Sequence, residues 1–336
     1  MSVGADAFGL PLGDSVLSAA VADGMERVEK ALDDAVRHVD GFISATSGHL
    51  LAAGGKRFRP LLTVLAAQLG PEPGPVPDDV VKAAVVVELT HLASLYHDDV
   101  MDDAALRRGA ESANARWGNS VAILTGDLLF ARASQVVADL GTEAVRVQAE
   151  TFEVLCAGQI HETVGPAGGQ DPVEHYLTVL AEKTGSLIST AGRFGATFGA
   201  CDAGTVEVMR LYGERIGVAF QLADDLIDLA SESGESGKTP GTDLREGVPT
   251  LPVLLARRSG DPADARLHEL LDGDLTNDAL HAEALGLLRA HPALHEARTR
   301  TRRWAQDARA TLSPLPAGPV RDALEALALG VVERSA

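Results

Sequence analysis

Cysteine is nearly absent from the sequence, which contains only Cys156 and Cys201 in 336 residues. Two cysteines cannot build a disulfide framework or a thiolate metal site. We therefore interpret both as structural and expect a protein of the reducing cytoplasm. The N-terminus lacks the basic start and apolar core of a signal peptide. Charged residues interrupt the apolar segments within about ten positions, too soon for a membrane span.

Basic residues are in short supply as well. The chain has 29 Lys and Arg against 48 Asp and Glu, which gives a formal net charge of −19. This balance argues against a nucleic-acid partner bound through its phosphates. It also makes any local group of basic residues conspicuous.

Alternating strand patterns and interdomain linkers are missing, and helical spacing prevails. Apolar residues recur at three- and four-residue steps over residues 25–39 and again after Asp78 and Asp79, which we interpret as helix caps. We predict an all-α fold with one domain over residues 1–336, in which residues 257–312 pack peripherally. Further helices are predicted over 118–140, 143–163, 173–200, 205–231 and 316–333, with loops over 70–77, 165–169 and 231–249.

A first acidic cluster, His97-Asp98-Asp99-Val100-Met101-Asp102-Asp103, ends a strongly apolar segment. On a helix the carboxylates of Asp98 and Asp102 share a face, about 6 Å apart along the axis, where unpaired like charges repel. A hard cation between them would remove that repulsion, since carboxylate oxygen is a preferred ligand of Mg²⁺. A solvated acidic helix end is the alternative.

A second acidic cluster repeats the pattern inside an apolar helix. Asp224 and Asp228 are again four residues apart, flanked by residues such as Leu222 and Leu226. Carboxylates in apolar surroundings need counter-cations. We therefore predict that the two clusters face each other and hold several Mg²⁺ ions around a polyanion such as diphosphate.

Basic residues occur in small groups along the sequence, and Arg107 and Arg108 follow the first acidic cluster closely. Arg is suited to bidentate contact with phosphate, and Lys to contact as a point charge. In so acidic a chain this grouping indicates phosphate handling. The residues concerned are Lys56, Arg57, Arg59, Arg107, Arg108, Lys183 and Lys238.

The chain resembles the trans-polyprenyl diphosphate synthases over nearly its whole length. The motifs GGKRFRP, DDVMD, RRG, KTG, FQLADDLID and GKTPGTDL occur in the order of that family. The resemblance implies antiparallel helices packed around a deep central cavity, a homodimer, and Mg²⁺ as cofactor. It also implies that the enzyme condenses isopentenyl diphosphate with an allylic diphosphate to give an all-trans polyprenyl diphosphate.

The resemblance also assigns roles to individual residues. Lys56, Arg59, His91 and Arg108 would bind the isopentenyl diphosphate headgroup, and Arg107 the allylic diphosphate. Asp98, Asp102 and Asp224 would bind Mg²⁺ directly, whereas Asp99, Asp225 and Asp228 would act through water or as orienting partners. Lys183, Thr184, Gln221 and Lys238 would contact the allylic substrate and its leaving group, the first three as catalytic residues.

The length of the product depends on residues before the first acidic cluster. Ala93 and Ser94, at the fifth and fourth positions before Asp98, are small, whereas relatives that stop at farnesyl typically carry a bulky aromatic there. Leu89 would form a softer barrier one turn further. We expect a long product, hexaprenyl to decaprenyl, with geranylgeranyl as the shorter alternative, and at most transient membrane contact during product release.

Two rival functions remain open at this stage. A class I terpene cyclase would lack the isopentenyl diphosphate pocket, and a non-catalytic subunit of a heteromeric synthase usually has degraded acidic motifs. One position departs from the family pattern, because Val248 stands where many relatives have a lysine that contacts diphosphate. We interpret His268, His281, His291 and His295 as surface residues, since they lack ligand spacing.

Overall fold

Helices supply nearly all the regular structure of residues 10, 12–230 and 240–333, which are the residues that the computed structural model describes. Within these ranges the only strands are β1 (Leu106–Arg107) and β2 (Ala110–Glu111), which pair as an antiparallel hairpin. The prediction of an all-α fold is confirmed. The helices are α1 (Ser15–Val36), α2 (Gly41–Ala52), α3 (Phe58–Ala67), α4 (Asp78–Met101), α5 (Ala113–Trp117), α6 (Asn119–Ala138), α7 (Thr142–Val164), α8 (Pro172–Leu180), a π-helical turn (Ala181–Gly185), α9 (Ser186–Phe198), α10 (Ala203–Ala230), α11 (Thr242–Arg245), α12 (Leu251–Arg257), a 3₁₀ turn (Pro262–Asp264), α13 (Ala265–Leu271), α14 (Asp278–Ala290), α15 (Pro292–Thr311) and α16 (Pro319–Glu333).

The described residues form two compact units, each built from separate stretches of the chain. Neither unit is a continuous piece of sequence, so the expectation of one domain over residues 1–336 stays a prediction. Unit 1 draws on residues within 1–153, 187–213 and 312–326, and unit 2 on residues within 154–186, 214–311 and 327–336.

Helix α4 is the central element of unit 1. Its buried residues include Val80, Ala83, Val86 and Leu89, which point in several directions around the helix axis. A helix that is apolar on all sides belongs to a core. Asp78 and Asp79 lie in its first turn and are not its caps, because Pro77 occupies the N-cap position.

Helix α1 is shorter at its C-terminal end than the apolar pattern predicts. It ends at Val36, which is buried, and Val39 lies beyond it as a fully exposed side chain. Asp40 then caps α2 by accepting from the amides of Phe42 and Ile43. This start signal of the next helix overrides the hydrophobic repeat.

The core of unit 2 includes residues that we expected to be peripheral. Helices α13, α14 and α15, all within 257–312, contribute buried apolar side chains to it, among them Leu267, Leu285 and Leu294. Their amphipathic spacing outweighs the high charge of the segment. His281 is also buried, at 4% exposure, which corrects its interpretation as a surface residue.

Helix α6 is more apolar than the sequence analysis allowed. Among the described helices, it alone meets the length and composition of a membrane span. The charged residues within α6 are Asp127 and Arg132. Nη1 of Arg132 donates to the carbonyl of Arg37 at 2.9 Å. The helix packs along α4 in unit 1. A helix packed against a neighbour in a protein core passes the same test of length and composition.

Candidate functional site

The loop between α2 and α3 holds two arginine side chains against its own backbone. A Cβ atom on Gly55 would lie 2.9 Å from Nη1 of Arg57 and 3.0 Å from the guanidinium carbon of Arg108. Glycine therefore leaves room for both cations at this point. Arg108 also donates from Nη1 to the carbonyl of Leu50, at 3.0 Å, and to that of Gly54.

Arg57 is neutralised by two glutamates that the sequence analysis did not identify. Its Nε lies 2.6 Å from Oε1 of Glu29, and its Nη1 lies 3.4 Å from Oε1 of Glu88. The side chains of Arg57 and Glu88 are both buried. An acidic residue within the apolar run of α4 needs a buried cation. Glu88 could therefore have indicated, from the sequence, that a basic side chain packs against α4.

Positive charge is in excess around Arg59 and His91. Burial lowers the pKa of Arg59 to about 10, with Glu88 opposing this shift and Arg108 adding to it. Nε of Arg59 is buried and has no hydrogen-bond partner among the described residues. Burial and then the nearby guanidinium groups, Arg59 first, lower the pKa of His91 well below its usual 6.5. These features suit the binding of an anion.

The structure thus brings together three of the four residues predicted to hold the isopentenyl diphosphate headgroup. In unit 1, besides burial, the charges of Arg59 and Arg108 lower the pKa of His91, and the charge of Arg108 lowers the pKa of Arg59. We call Arg59, His91 and Arg108 the cationic cluster. Lys56 lies on the exposed side of the same loop.

Asp99 in the first acidic motif is buried and holds an arginine of the following hairpin. Its Oδ1 accepts from Nε of Arg107 at 2.5 Å. Burial raises the pKa of Asp99, and the charge of Arg107 opposes that shift. Oδ2 of Asp99 is buried and, within the part of the chain that the structure describes, has no hydrogen-bond partner.

The other two aspartates of this motif lie nearer the protein surface. Asp98 is half-buried in the last turns of α4, and Asp102 is exposed directly after the helix. Oδ2 of Asp102 lies 3.8 Å from Nη2 of Arg107. Arg107 therefore links the buried and the exposed carboxylate of the motif.

In unit 2, the buried Asp225 of the second acidic motif is the centre of a partly buried hydrogen-bond chain. It accepts from the hydroxyl of Tyr176 and, at 3.0 Å, from Nε2 of Gln221. Oε1 of Gln221 in turn accepts from the hydroxyl of Thr184 at 3.3 Å. Burial raises the pKa of Asp225 to about 6, opposed by the hydrogen bonds from Tyr176 and Gln221. The chain fixes the orientation of the Gln221 amide, and the sequence analysis gave Tyr176 no role.

Lys183 and Thr184 lie in the π-helical turn Ala181–Gly185, which the sequence analysis did not predict. Turns of this kind occur frequently at functional sites. Nζ of Lys183 lies 2.5 Å from Oε2 of Glu162 on α7, a second partner that sequence reasoning missed.

The remaining aspartates of the second motif differ in their surroundings. Asp224 is half-buried on α10. The carboxylate of Asp228 accepts from the amides of Thr242 and Asp243, at 3.2 and 3.1 Å. Asp228 therefore binds the start of α11. Lys238, predicted to contact the allylic substrate, lies outside the described residues.

The aspartates of each acidic motif are suited to a cation that is also bound by the substrate. In residues 10, 12–230 and 240–333, no group of three or more His, Cys, Asp or Glu side chains is arranged to hold a metal ion. Mg²⁺ usually binds through one or two carboxylates together with substrate phosphates. Asp98 and Asp102 are the pair that we predict for this role, and Asp224 the single carboxylate. The predicted cage of several ions stays a prediction.

The residues assigned to product length all lie on α4. Leu89 and Ala93 are fully buried. Ser94 is half-buried, and its hydroxyl donates to the carbonyl of His91 at 2.8 Å. Ser94 therefore bonds to the backbone of its own helix one turn earlier, whereas Ala93 is enclosed within unit 1.

The chain is similar in sequence to known proteins over nearly its whole length. A family model described as Polyprenyl synthetase matches residues 41–288. A nonaprenyl diphosphate synthase of Mycobacterium tuberculosis is 52% identical over 326 residues, which are 97% of each chain.

The fold is likewise similar to solved structures. A geranylgeranyl pyrophosphate synthase of Corynebacterium glutamicum, complexed with calcium and isoprenyl diphosphate, has a TM-score of 0.85 at 45% identity, with 96% of this chain and 98% of that chain covered. A polyprenyl synthase of Caulobacter crescentus, with the same ligands, has a TM-score of 0.87 at 34% identity, with 100% and 99% covered.

Proposed function

The chain belongs to the polyprenyl synthetase family and is a trans-prenyltransferase, and we propose that it condenses isopentenyl diphosphate with an allylic diphosphate. The observation that carries this proposal is the cationic cluster of unit 1. It contains an arginine, Arg59, whose buried Nε has no partner within the described ranges. A diphosphate oxygen would supply the missing acceptor.

The isopentenyl diphosphate headgroup binds to Lys56, Arg59, His91 and Arg108. The low pKa of His91 keeps its imidazole neutral near neutral pH, so it contributes a hydrogen bond and no charge. Arg59 and Arg108 supply charge-assisted hydrogen bonds, the stronger kind.

The allylic diphosphate binds to Arg107, Lys183 and Lys238, with Thr184 and Gln221 beside its first carbon. Asp98, Asp102 and Asp224 hold Mg²⁺ directly, and Asp99, Asp225 and Asp228 orient their neighbours. The burial of Asp99 and Asp225 supports this division. Bound Mg²⁺ would neutralise the charge that grows on the departing diphosphate.

The reaction needs no side-chain nucleophile. The bond between C1 and oxygen of the allylic substrate breaks, and the diphosphate leaves with the electron pair. Arg107 and Lys183 stabilise this leaving group. The oxygens of Thr184 and Gln221 stabilise the allylic cation, and the double bond of isopentenyl diphosphate then forms the new carbon–carbon bond. The released diphosphate then accepts a proton from the condensed product, and the loss of this proton restores a double bond.

We propose a long product, hexaprenyl to decaprenyl. The similarity to a nonaprenyl diphosphate synthase and the small side chains of Ala93 and Ser94 support it. Geranylgeranyl diphosphate is the second candidate, because a similar solved structure is that of a geranylgeranyl pyrophosphate synthase. Product release then involves at most transient membrane contact.

We further propose a homodimer in the cytoplasm. Helix α6 exposes two neighbouring apolar side chains, Ile123 and Leu124, at 41% and 66%. An apolar surface of this kind is typical of a protein interface. A second copy of the chain would cover it.

One assay of the purified protein separates this function from its rivals. Radiolabelled isopentenyl diphosphate is supplied with dimethylallyl, geranyl, farnesyl or geranylgeranyl diphosphate and Mg²⁺, and the products are separated by chromatography. We expect incorporation of label into long polyprenyl chains. A cyclase would consume the allylic substrate without label, and a non-catalytic subunit would consume neither; both results contradict the proposal.

A further inference from the structure

A buried histidine of α14 holds the turn that follows the second acidic motif. We call residues 240–245 the closing turn. Nε2 of His281 lies 2.8 Å from the carbonyl oxygen of Gly241. Gly241 has a left-handed φ of +71°, and a Cβ atom there would lie 3.0 Å from the same Nε2. The histidine therefore packs directly on backbone that favours glycine.

The partners of His281 determine which ring nitrogen carries the proton. Nδ1 lies 3.2 Å from Nη2 of Arg245, and a guanidinium group can only donate. Nδ1 is therefore the acceptor, and Nε2 carries the proton that it donates to Gly241. Arg245 is itself held by Asp278 at 2.9 Å and by the carbonyl of Thr276 at 3.0 Å. The neutral ring is thus bonded on both sides.

On its other side, the closing turn is hydrogen-bonded to Asp228. The amides of Thr242 and Asp243 donate to its carboxylate, and the amide of Gly241 donates to its carbonyl at 2.9 Å. The turn therefore lies between His281 and Asp228. A shift of the turn would remove two donors from the Asp228 carboxylate.

We propose that His281 is a positioning residue for the second acidic motif. His281 fixes the carboxylate of Asp228 through the closing turn. The inference rests on the proposed function, in which Asp228 orients its neighbours around the diphosphate. A leucine would occupy a similar volume but would remove one of the two donors to the Gly241 carbonyl, whose other donor is the amide of Arg245 at 3.0 Å. It would also remove one of the acceptors of the Arg245 guanidinium. Groups that hydrogen-bond a metal ligand directly typically change metal affinity by about 10- to 100-fold. His281 acts one contact further out, so we expect the lower end of this range.

Hydrogen exchange of the full-length, metal-free protein tests the contact itself. In His281→Leu, the peptide that covers the closing turn should exchange about tenfold faster than in the wild type. His281→Gln retains a donor and should restore most of the protection. The matched control is His268→Leu, since His268 of α13 also contacts a backbone carbonyl, that of Ala256, at 3.0 Å. Unchanged exchange in His281→Leu, or equal acceleration in His268→Leu, would overturn the proposal.

Metal dependence of turnover tests the consequence. The Mg²⁺ concentration for half-maximal rate should rise about tenfold in His281→Leu. The Kd for isopentenyl diphosphate should stay unchanged, because its proposed pocket lies in unit 1. Faster exchange with an unchanged Mg²⁺ requirement would overturn the positioning role. An inactive wild type would instead contradict the proposed function, and the exchange result would still decide whether His281 holds the turn.

Discussion

At the scale of the residue, the candidate site contains two of the buried side-chain polar atoms that lack a partner in the described part of the chain. Nε of Arg59 and Oδ2 of Asp99 are buried and, within the described part of the chain, lack partners. Each such atom typically costs about 1–3 kcal/mol. Both belong to motifs that carry the proposed chemistry. A diphosphate oxygen can accept from Nε of Arg59, and binding there would bring a corresponding gain, whereas Oδ2 of Asp99 is itself an acceptor and needs a donor or a cation.

Removal of a metal-binding carboxylate is the first test at this scale. Asp98→Ala and Asp224→Ala should each lower kcat by several orders of magnitude at saturating Mg²⁺, because the leaving group is no longer neutralised. Chelation of Mg²⁺ should abolish turnover in the wild type. Steady-state kinetics, with circular dichroism to verify the fold, measures the effect.

Asp103→Asn is the matched control for these variants. Asp103 neighbours the first motif, and its φ of +47° is one that asparagine tolerates. It should retain nearly full activity. Near-normal turnover in either Asp98→Ala or Asp224→Ala would contradict the metal assignment.

The low pKa of His91 predicts a pH dependence of stability. The folded state keeps His91 neutral below pH 6.5, whereas the unfolded chain binds a proton there. The free energy of unfolding should therefore fall as pH drops below that value, by at most about 1.4 kcal/mol per pH unit from this group. His91→Gln removes the contribution, so its unfolding free energy should change less between neutral and mildly acidic pH. Equal pH dependence in denaturant titrations of both proteins would contradict this.

At the scale of the element, the sequence predicted those helices whose periodicity is uninterrupted. Helices α6, α7 and α10 lie within a few residues of their predicted ranges. The predicted helix over 173–200 contains a π-helical turn, which leaves no trace in an apolar repeat. The two acidic motifs were recognisable because i, i+4 spacing is local. The contacts of Arg57 with Glu29 and of Asp225 with Tyr176 join distant segments, so they required the folded structure.

Substitutions in α4 test the assignment of product length. Ala93→Phe should stop elongation early, near farnesyl or geranylgeranyl, because its ring occupies the space of the growing chain. Ala93 is fully buried, and overpacking a core typically costs about 1–3 kcal/mol. Ser94→Phe starts from a half-buried position and should shorten the product with less destabilisation. Product chromatography with a thermal melt separates the two effects, and an unchanged long product in both variants would contradict the assignment.

At the scale of the whole molecule, the cationic cluster is a local excess of positive charge in a strongly acidic chain. A net charge of −19 repels anionic substrates at long range. Recognition of diphosphates therefore depends on the local groups at each motif. The same acidity disfavours association through charged surfaces, so an apolar face is the more suitable surface for a dimer.

Disruption of the apolar face of α6 tests the proposed homodimer. The wild type should elute with twice the mass of the chain in size-exclusion chromatography with light scattering. Leu124→Asp should give monomers, because a carboxylate buried at an interface is costly. Val39→Asp places the same charge at another exposed apolar position and should stay dimeric. A monomeric wild type, or a dimeric Leu124→Asp, would contradict the proposal.

The affinity for isopentenyl diphosphate tests the central claim most directly, because the cationic cluster of unit 1 carries the proposed function. Calorimetry compares the wild type with Arg59→Gln, without metal or allylic substrate. Loss of a hydrogen bond from a charged group costs about 1.5–3 kcal/mol, so the Kd should rise about 10- to 100-fold. The Kd for the allylic diphosphate with Mg²⁺ should stay the same. An unchanged Kd for isopentenyl diphosphate in Arg59→Gln would contradict the account.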